Sequence, residues 1–215
     1  QIFAFTAAPV TVFLSGIIGS QFSPVKSLAT LPMALSIVGI AIFAIFAAKV
    51  MSIIGRRAGF MFASVVSSLS SVLAAYAIII ESFILFNFSC FLLGAGVAFS
   101  HQYRFAAVET VKKDMAPKAI SIILLAGIGS AFIGPNVANI TKGFIAEHLY
   151  AGSYIALAAL TLTSTIFLLF YEDGHKPNHV NKKIKRSYLE LISQPRFLQA
   201  LVASAFAYAV MSFLM

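Results

Sequence analysis

Seven stretches of this chain, each 19 to 25 residues long, contain no Asp, Glu, Lys or Arg, and together they fill most of the sequence. A helix needs about 20 consecutive apolar residues to cross the hydrocarbon core of a bilayer. The charge-free stretches are residues 1–25, 27–48, 58–80, 82–103, 119–141, 149–171 and 197–215. The pattern predicts an all-α integral membrane protein with six spans and part of a seventh.

The composition excludes a water-soluble globule. Hydrophobic residues make up 60% of the chain, charged residues make up 10%, and the mean hydropathy is +0.95. Too few polar side chains remain to cover a soluble surface. The net charge of +8 does not indicate nucleic acid, because the basic residues lie in short connectors and form no basic face with interleaved aromatic residues. The sequence therefore predicts the lipid bilayer, and no nucleic acid, as a partner.

Lys and Arg are divided unevenly between two sets of connectors. Only Lys26 and Lys142 belong to the odd-numbered connectors. The other 13 lie in or beside the connectors after the second, fourth and sixth stretches: Lys49, Arg56, Arg57, Arg104, Lys112, Lys113, Lys118, Lys176, Lys182, Lys183, Lys185, Arg186 and Arg196. Because Lys and Arg accumulate in cytoplasmic loops, this asymmetry predicts a cytoplasmic amino terminus and cytoplasmic even-numbered connectors.

Prolines and glycines mark the positions where the spans are expected to bend or pack closely. Pro9 and Pro32 lie within apolar stretches, and a bend is expected near each because proline cannot donate a backbone hydrogen bond. Gly94 and Gly96 form a small-residue patch in the fourth stretch. Such a patch allows the backbone of another helix to come close.

The first segment with a recognisable pattern is residues 49–59, which read KVMSIIGRRAG. Gly55 allows a tight turn between the second and third stretches, and Arg56 and Arg57 follow it as two adjacent cations. In these three residues the segment resembles the loop between the second and third spans of the major facilitator superfamily, a family of membrane transporters.

Two more segments extend the resemblance. Residues 101–121 contain Arg104, Glu109 and Lys118 in an order similar to the family's connector between the fourth and fifth spans. Further along, AGIGSAFIGPNVAN resembles the Gly-Pro motif of many antiporters of the superfamily, with Gly134 and Pro135 present. A bend is expected there, near the outer end of the fifth span.

The resemblance implies how the chain is organised and what it does. Residues 1–171 would form a six-helix amino-terminal bundle, residues 172–195 a cytoplasmic inter-domain loop, and residues 196–215 the start of a carboxy-terminal bundle whose remainder is missing. Within the loop, the pattern of residues 186–194 predicts a short helix along the membrane surface. The implied function is secondary active transport or facilitated movement of a small solute by alternating access. The implied location is a bacterial inner membrane.

In such a transporter, ion pairs at the cytoplasmic ends latch one of the two access states. Arg104 and Glu109 lie five residues apart, too far for the best pairing on one helix face, so each is expected to pair with another element. Glu109 is expected to pair with Arg56 or Arg57, within a network that also includes Lys118. The alternative interpretation is a solvated charge run at a helix end.

No predicted span contains an acidic or basic residue deep within it. Such a residue would indicate a binding site, so the sequence does not identify the solute. Hydroxyl groups of the first, third and sixth stretches either line a polar cavity or bond their own helices and hold the helices together. His101 and Arg104 are the ionisable residues nearest to the membrane interior. Arg104 is a candidate for contact with an anionic substrate, and His101 is a candidate for coupling protons to transport.

The sequence gives no sign of an enzyme. It contains no nucleophile elbow, phosphate-binding loop or cysteine cluster, and no cofactor is predicted. His175 and His179 have metal-ligand spacing, but Pro177 between them argues against the helix that such a site needs, so no metal is predicted. Two other classes stay open: a seven-helix receptor, and a non-transporting scaffold or sensor derived from a transporter half.

Overall fold

The computed structural model of this chain describes residues 1–171 and 194–214. These residues form α-helices and short 3₁₀ turns, and the described part of the chain contains no strand. The α-helices, numbered along the chain, are α1 Ile2–Phe5, α2 Ala7–Phe22, α3 Leu31–Ile54, α4 Arg56–Ile79, α5 Phe83–Ser100, α6 Tyr103–Thr110, α7 Ala116–Thr141, α8 Ala151–Leu169 and α9 Pro195–Leu214. The predicted all-α membrane fold is confirmed.

Six helical segments are long and apolar enough to cross a membrane. They are Ile2–Phe22, Lys26–Ile54, Arg56–Ile79, Phe83–Thr110, Ala116–Thr141 and Ala151–Leu169. They correspond in order to the first six charge-free stretches. Helix α9 is not among these six segments, so its place as a seventh span stays a prediction. It belongs to a separate unit from the bundle formed by residues 1–171.

Helix α5 lies at the centre of the bundle. Its most extensive packing is against α3 and α4, while α4 also packs along α8. The approach of α3 to α5 is close, because a Cβ atom on Gly39 would clash with the Phe91 carbonyl oxygen. A Cβ atom on Gly94 would clash with the Ser36 carbonyl oxygen in the same way. The close helix packing expected at the glycine patch is therefore present.

The outer helices of the bundle are much less covered than its centre. The most apolar part of the fourth candidate span, which includes α5, is 67% buried, whereas that of α7 is 11% buried. The second candidate span, which includes α3, is 17% buried. Apolar side chains on α3 and α7 therefore face outward along most of both helices.

The two prolines behave differently. The first span is interrupted at Thr6, close to the bend expected near Pro9. Pro9 has no N–H to bond the carbonyl of Phe5, four residues earlier, so the helix is weakened there. The bend expected near Pro32 was wrong. Pro32 lies in the first turn of α3, where the backbone N–H would have no helical partner in any case.

The connector between the second and third spans is shorter than residues 49–59 suggested. Helix α3 continues to Ile54 and α4 begins at Arg56, so Gly55 alone joins them. Its backbone φ of 88° lies in the region that only glycine adopts without strain. The charge-free window underestimated α3 because Lys49 is exposed on its last turns, where its ammonium group can reach water.

Candidate functional site

Basic residues lie in the first turns of α4, α6 and α7, which meet at one end of the bundle. We call this region the basic end and define it by Arg56, Arg57, Arg104 and Lys118. The tight turn at Gly55 places Arg56 and Arg57 in the first turn of α4. Cations at a helix amino terminus meet its positive dipole end, which is unfavourable without a partner. Both arginines have partners.

Arg56 is bound to Glu109 by two contacts. Its Nη2 donates to Glu109 Oε1 at 2.6 Å, and its Nε donates to Oε2 at 3.0 Å. This two-point geometry orients both groups and is stronger than a single ion contact. Arg56 is also near the Met51 sulfur, at 3.9 Å from Nη1. The structure thus contains the pair expected between Glu109 and one of the two arginines, and it ties the start of α4 to α6.

Arg57 contacts a different helix. Its Nη2 donates to the backbone carbonyl oxygen of Leu169, the last residue of α8, at 2.5 Å. The carbonyls at a helix carboxyl terminus have no partner within the helix, and a cation there also complements the negative end of the helix dipole. Arg57 therefore caps α8, and the two adjacent arginines connect α4 to two separate helices.

The other predicted members of the network are not joined to it. Arg104 and Lys118 are exposed, and the described part of the chain shows no hydrogen bond or ion pair for either side chain. Arg104 precedes Glu109 by five residues on α6, so the two side chains leave the helix about 140° apart. This separation directs Arg104 away from the side of α6 on which Glu109 meets Arg56. Lys118 lies in the first turn of α7.

His101 lies between α5 and α6, at a break in the fourth span. Its ring contacts the ring of Phe5 edge to face, with centroids 5.3 Å apart. The residue is half-buried. No acidic side chain among the described residues contacts it. His101 therefore lies at the junction with the first span. Its role in proton coupling stays a prediction.

The hydroxyl groups within the spans hold helices together. Ser64 on α4 is bonded to Ser164 on α8, and Ser164 in turn donates to the Thr161 carbonyl oxygen at 2.6 Å. Because Ser164 has given its proton to that carbonyl, Ser64 is the donor between the two hydroxyls. Ser68 adds a second link, from its hydroxyl to the Ala158 carbonyl oxygen at 3.2 Å. Two buried hydrogen bonds therefore join α4 to α8 inside an apolar environment, and a third, within α8, orients Ser164.

Most other hydroxyls bond their own helices, as expected for serine and threonine in apolar segments. Thr6 donates to the Ile2 carbonyl at 2.7 Å, and Ser71 donates to the Ser67 carbonyl at 2.8 Å. Thr11 and Tyr154 are buried, and their hydroxyl oxygens have no hydrogen-bond partner among the described residues. On α4, Ser64 and Ser68 join neighbouring helices, whereas Ser70 and Ser71 bond their own helix.

Gly134 lies where α7 meets the first span. A Cβ atom on Gly134 would be 3.1 Å from Pro9 Cγ, 3.2 Å from Val10 Cγ2 and 3.4 Å from Thr6 Cγ2. Pro135 follows it within α7, and the helix continues without interruption to Thr141. The glycine therefore serves close packing of α7 on α2, while the bend at Pro135 stays a prediction.

Two features of this site were not anticipated from the sequence. The cap that Arg57 forms on Leu169 involves a backbone carbonyl, which no side-chain pattern reveals. The second is the stack of Phe60 on Tyr103, whose ring centroids lie 4.0 Å apart with an interplanar angle of 6°. Phe60 directly follows the segment 49–59, and Tyr103 lies within the segment 101–121. Among the described residues, no cluster of His, Cys, Asp or Glu could hold a metal ion.

The bundle of six candidate spans defines a multi-pass integral membrane protein. The chain belongs to the Major Facilitator Superfamily, whose sequence profile matches residues 2–215. This match confirms the resemblance that the three short segments indicated. It also favours a transporter fold over a seven-helix receptor.

Individual relatives agree with the family. The chain is 30% identical over 212 residues to the riboflavin transporter RfnT of Brucella anthropi, which covers 98% of this chain and 53% of that relative. It is 28% identical over 171 residues to the uncharacterised MFS-type transporter YdeG of Bacillus subtilis, covering 78% of this chain and 40% of YdeG. YddS of the same organism is 26% identical over 175 residues, covering 80% and 40%. The chain thus spans about half the length of the curated relatives it matches. No solved structure gives a significant match.

Proposed function

We propose that the full-length protein carries a small solute across a bacterial inner membrane by alternating access. The observation that carries this proposal is the family match over residues 2–215, together with a six-span bundle. In this mechanism two bundles rock about a central site, so that the site opens to one side at a time. In this proposal the bundle described here is one of the two moving bodies, and a second bundle, in the part of the relatives that this chain does not span, is the other.

The basic end supplies a candidate latch for one of the two access states. Arg56 and Glu109 are both partly exposed, with 23% and 56% of their side chains accessible. An ion pair in this position exchanges partners at little cost, because water can solvate either charge once they separate. We place this end in the cytoplasm, together with the amino terminus, since 13 of 15 Lys and Arg residues belong to that side.

The solute is proposed from one relative alone. RfnT is described as a riboflavin transporter, so riboflavin is the first solute to test. Arg104, exposed at the basic end, is the proposed contact for an anionic solute, and His101 is the proposed site of proton coupling. Pro135 is proposed as a flexible point of α7 during the change of access. Movement without coupling to protons would make the protein a facilitator.

The test is solute flux into liposomes that contain the purified full-length protein. Radiolabelled riboflavin is offered first, followed by a panel of nucleosides, sugars, amino acids and organic acids. Saturable uptake above that of protein-free liposomes is expected for at least one solute, and an imposed pH gradient should change its rate if protons are coupled. A folded, inserted protein that moves no solute would contradict transport and would favour the scaffold or sensor interpretation.

A further inference from the structure

A cavity of about 430 Å³ opens at the basic end, inside the described bundle. One of its walls is the short helix α6. Tyr103, Ala106, Ala107 and Thr110 line this wall and are spaced three, four and seven residues from the first of them. This spacing corresponds to one face of a helix. Two alanines at the middle of the face leave the space open.

The facing wall is formed by the last turns of α8. Ser164, Phe167, Leu168 and Tyr171 line it with the same spacing. Residues of α1, α4 and α7 close the remaining sides. The cavity is therefore built between two helix faces of the amino-terminal bundle.

Both walls are held by the first two residues of α4. Arg56 binds Glu109, which is adjacent to Thr110 on the α6 wall. Arg57 binds the carbonyl of Leu169, which is adjacent to Leu168 on the α8 wall. A separate contact joins each wall to α4, and the space between the walls is open in this structure. A preformed site spares a ligand the cost of ordering the helices around it.

The chemistry of the lining favours a flat, apolar ligand. Phe3 and Phe167 stack with an interplanar angle of 4° and centroids 5.6 Å apart. Phe60 and Tyr103 form the second stacked pair. Both pairs contribute rings to the cavity wall. Aromatic rings bind one another in offset-stacked or edge-to-face arrangements, which adds to the effect of burying their area.

The charge of the lining residues restricts the class of ligand further. None of the described residues that line the cavity is acidic or basic. A charged ligand would lose its water there without gaining an opposite charge, and this desolvation is costly. The Tyr103 hydroxyl can donate a hydrogen bond to a neutral ligand, whereas the hydroxyls of Thr110 and Ser164 already donate within the protein and can only accept one. A mostly apolar cleft with a few polar groups is the usual form of a small-molecule site.

We propose that this cavity binds one uncharged, planar aromatic molecule, and that it is a ligand site within the amino-terminal bundle itself. The proposal goes beyond solute transport and does not depend on it, since the described lining residues all belong to the amino-terminal bundle. Its ligand acts as an effector: a molecule between α6 and α8 is in contact with the two walls that Arg56 and Arg57 hold. Occupancy is thereby connected to the ion pair at the basic end.

Binding of 2-naphthol, a neutral bicyclic probe, tests the proposal. The full-length protein is embedded in lipid nanodiscs and dialysed to equilibrium against the probe, with empty nanodiscs measuring partition into lipid. The expected result is saturable binding of one probe molecule per protein, in excess of the lipid background. Uptake that stays linear and equals that of empty nanodiscs would overturn the proposal.

A matched pair of substitutions assigns the binding to this cavity. Ala107→Phe fills the space between the walls, whereas Ala159→Phe adds the same side chain to an exposed position of α8 that does not line the cavity. We expect A107F to weaken binding by about tenfold or more and A159F to leave it unchanged. Equal affinity in wild type and A107F would place the probe elsewhere and overturn the assignment.

A smaller substitution covers the case in which A107F does not fold. Ala107→Cys is close in size to the native residue and places a thiol on the α6 wall. The native Cys90 is buried in the bundle core and contributes little to labelling. We expect 2-naphthol to slow labelling of A107C by N-ethylmaleimide, with half-protection at the concentration that half-saturates binding. Labelling that the probe does not slow would contradict the site. Either result is independent of solute flux, so failure of this proposal leaves the transport proposal untouched.

Discussion

Arg56 and Glu109 are 53 residues apart in sequence, yet their side chains meet at two pairs of atoms, 2.6 Å and 3.0 Å apart. The first residue of α4 is thereby fixed to the end of α6. The adjacent Arg57 fixes the same turn of α4 to the end of α8. The first turn of α4 is therefore joined to both α6 and α8 at the basic end.

The Arg56–Glu109 pair is expected to contribute little to stability. Glu109→Gln keeps the shape of the side chain and removes its charge. Exposed ion pairs are worth about 0.2–1 kcal/mol, so the free energy of unfolding should fall by no more than about 1 kcal/mol. Thermal unfolding of the purified full-length protein measures this change. Glu147→Gln, an exposed acid in the connector between α7 and α8, at the opposite end of α7 from Lys118, is the control. A large loss of stability in E109Q alone would show that the pair is structural.

Gly39 is expected to be intolerant of even one methyl group. A Cβ atom there would meet the Phe91 carbonyl oxygen, which cannot move without displacing α5. Gly16 is the matched control, because a Cβ atom there has no neighbour within 4 Å. Alanine favours a helix over glycine by about 1 kcal/mol, so G16A should be neutral or stabilising in thermal unfolding. G39A should lower the unfolding temperature, and an unchanged temperature would contradict the close approach of α3 and α5.

Ser64 and Ser164 are expected to be energetically coupled. Hydrogen bonds between membrane helices contribute about 0.6 kcal/mol on average and up to about 1.7 kcal/mol. In a double-mutant cycle, S64A, S164A and the double substitution should give a coupling energy in this range. Ser70→Ala is a control, because the Ser70 hydroxyl bonds only the Val66 carbonyl within α4. Additive effects of S64A and S164A would indicate that the two hydroxyls do not interact.

Pro135 is expected to matter for movement more than for folding. Proline removes one backbone hydrogen bond from α7, and Pro135→Ala restores the missing donor. The helix should become stiffer, so thermal stability should be maintained or raised while the transport rate falls. Pro24→Ala, in an exposed connector, is the control. A P135A variant that transports at the wild-type rate would remove Pro135 from the mechanism.

The sequence anticipated what depends on side-chain chemistry and short spacing. The spans could be predicted because a helix that crosses a bilayer needs a long charge-free stretch. The turn at Gly55 could be predicted because few residues other than glycine adopt a positive φ. Arg56 or Arg57 was predicted as the partner of Glu109 because Arg104, five residues away on the same helix, is poorly placed to pair with it. The structure contains the pair with Arg56.

The rest depended on tertiary geometry. Arg57 binds a backbone carbonyl 112 residues away, and every residue has a carbonyl, so no sequence pattern singles out Leu169. Arg104 was assigned to the network from its place in the motif. Its side chain points away from the ion pair because Arg104 and Glu109 lie on different sides of α6. Pro32 was misjudged because the start of α3 could not be located from charge alone, and proline is harmless only within the first turn.

The measurement that tests the account most directly is solute counterflow in liposomes containing wild-type, E109Q or E147Q full-length protein. Riboflavin, or the solute that gives saturable flux in the panel, is used at equal amounts of inserted protein. If the Arg56–Glu109 pair latches one access state, counterflow should fall by about tenfold or more in E109Q and stay at the wild-type rate in E147Q. Equal counterflow in all three proteins would show that the pair takes no part in alternating access.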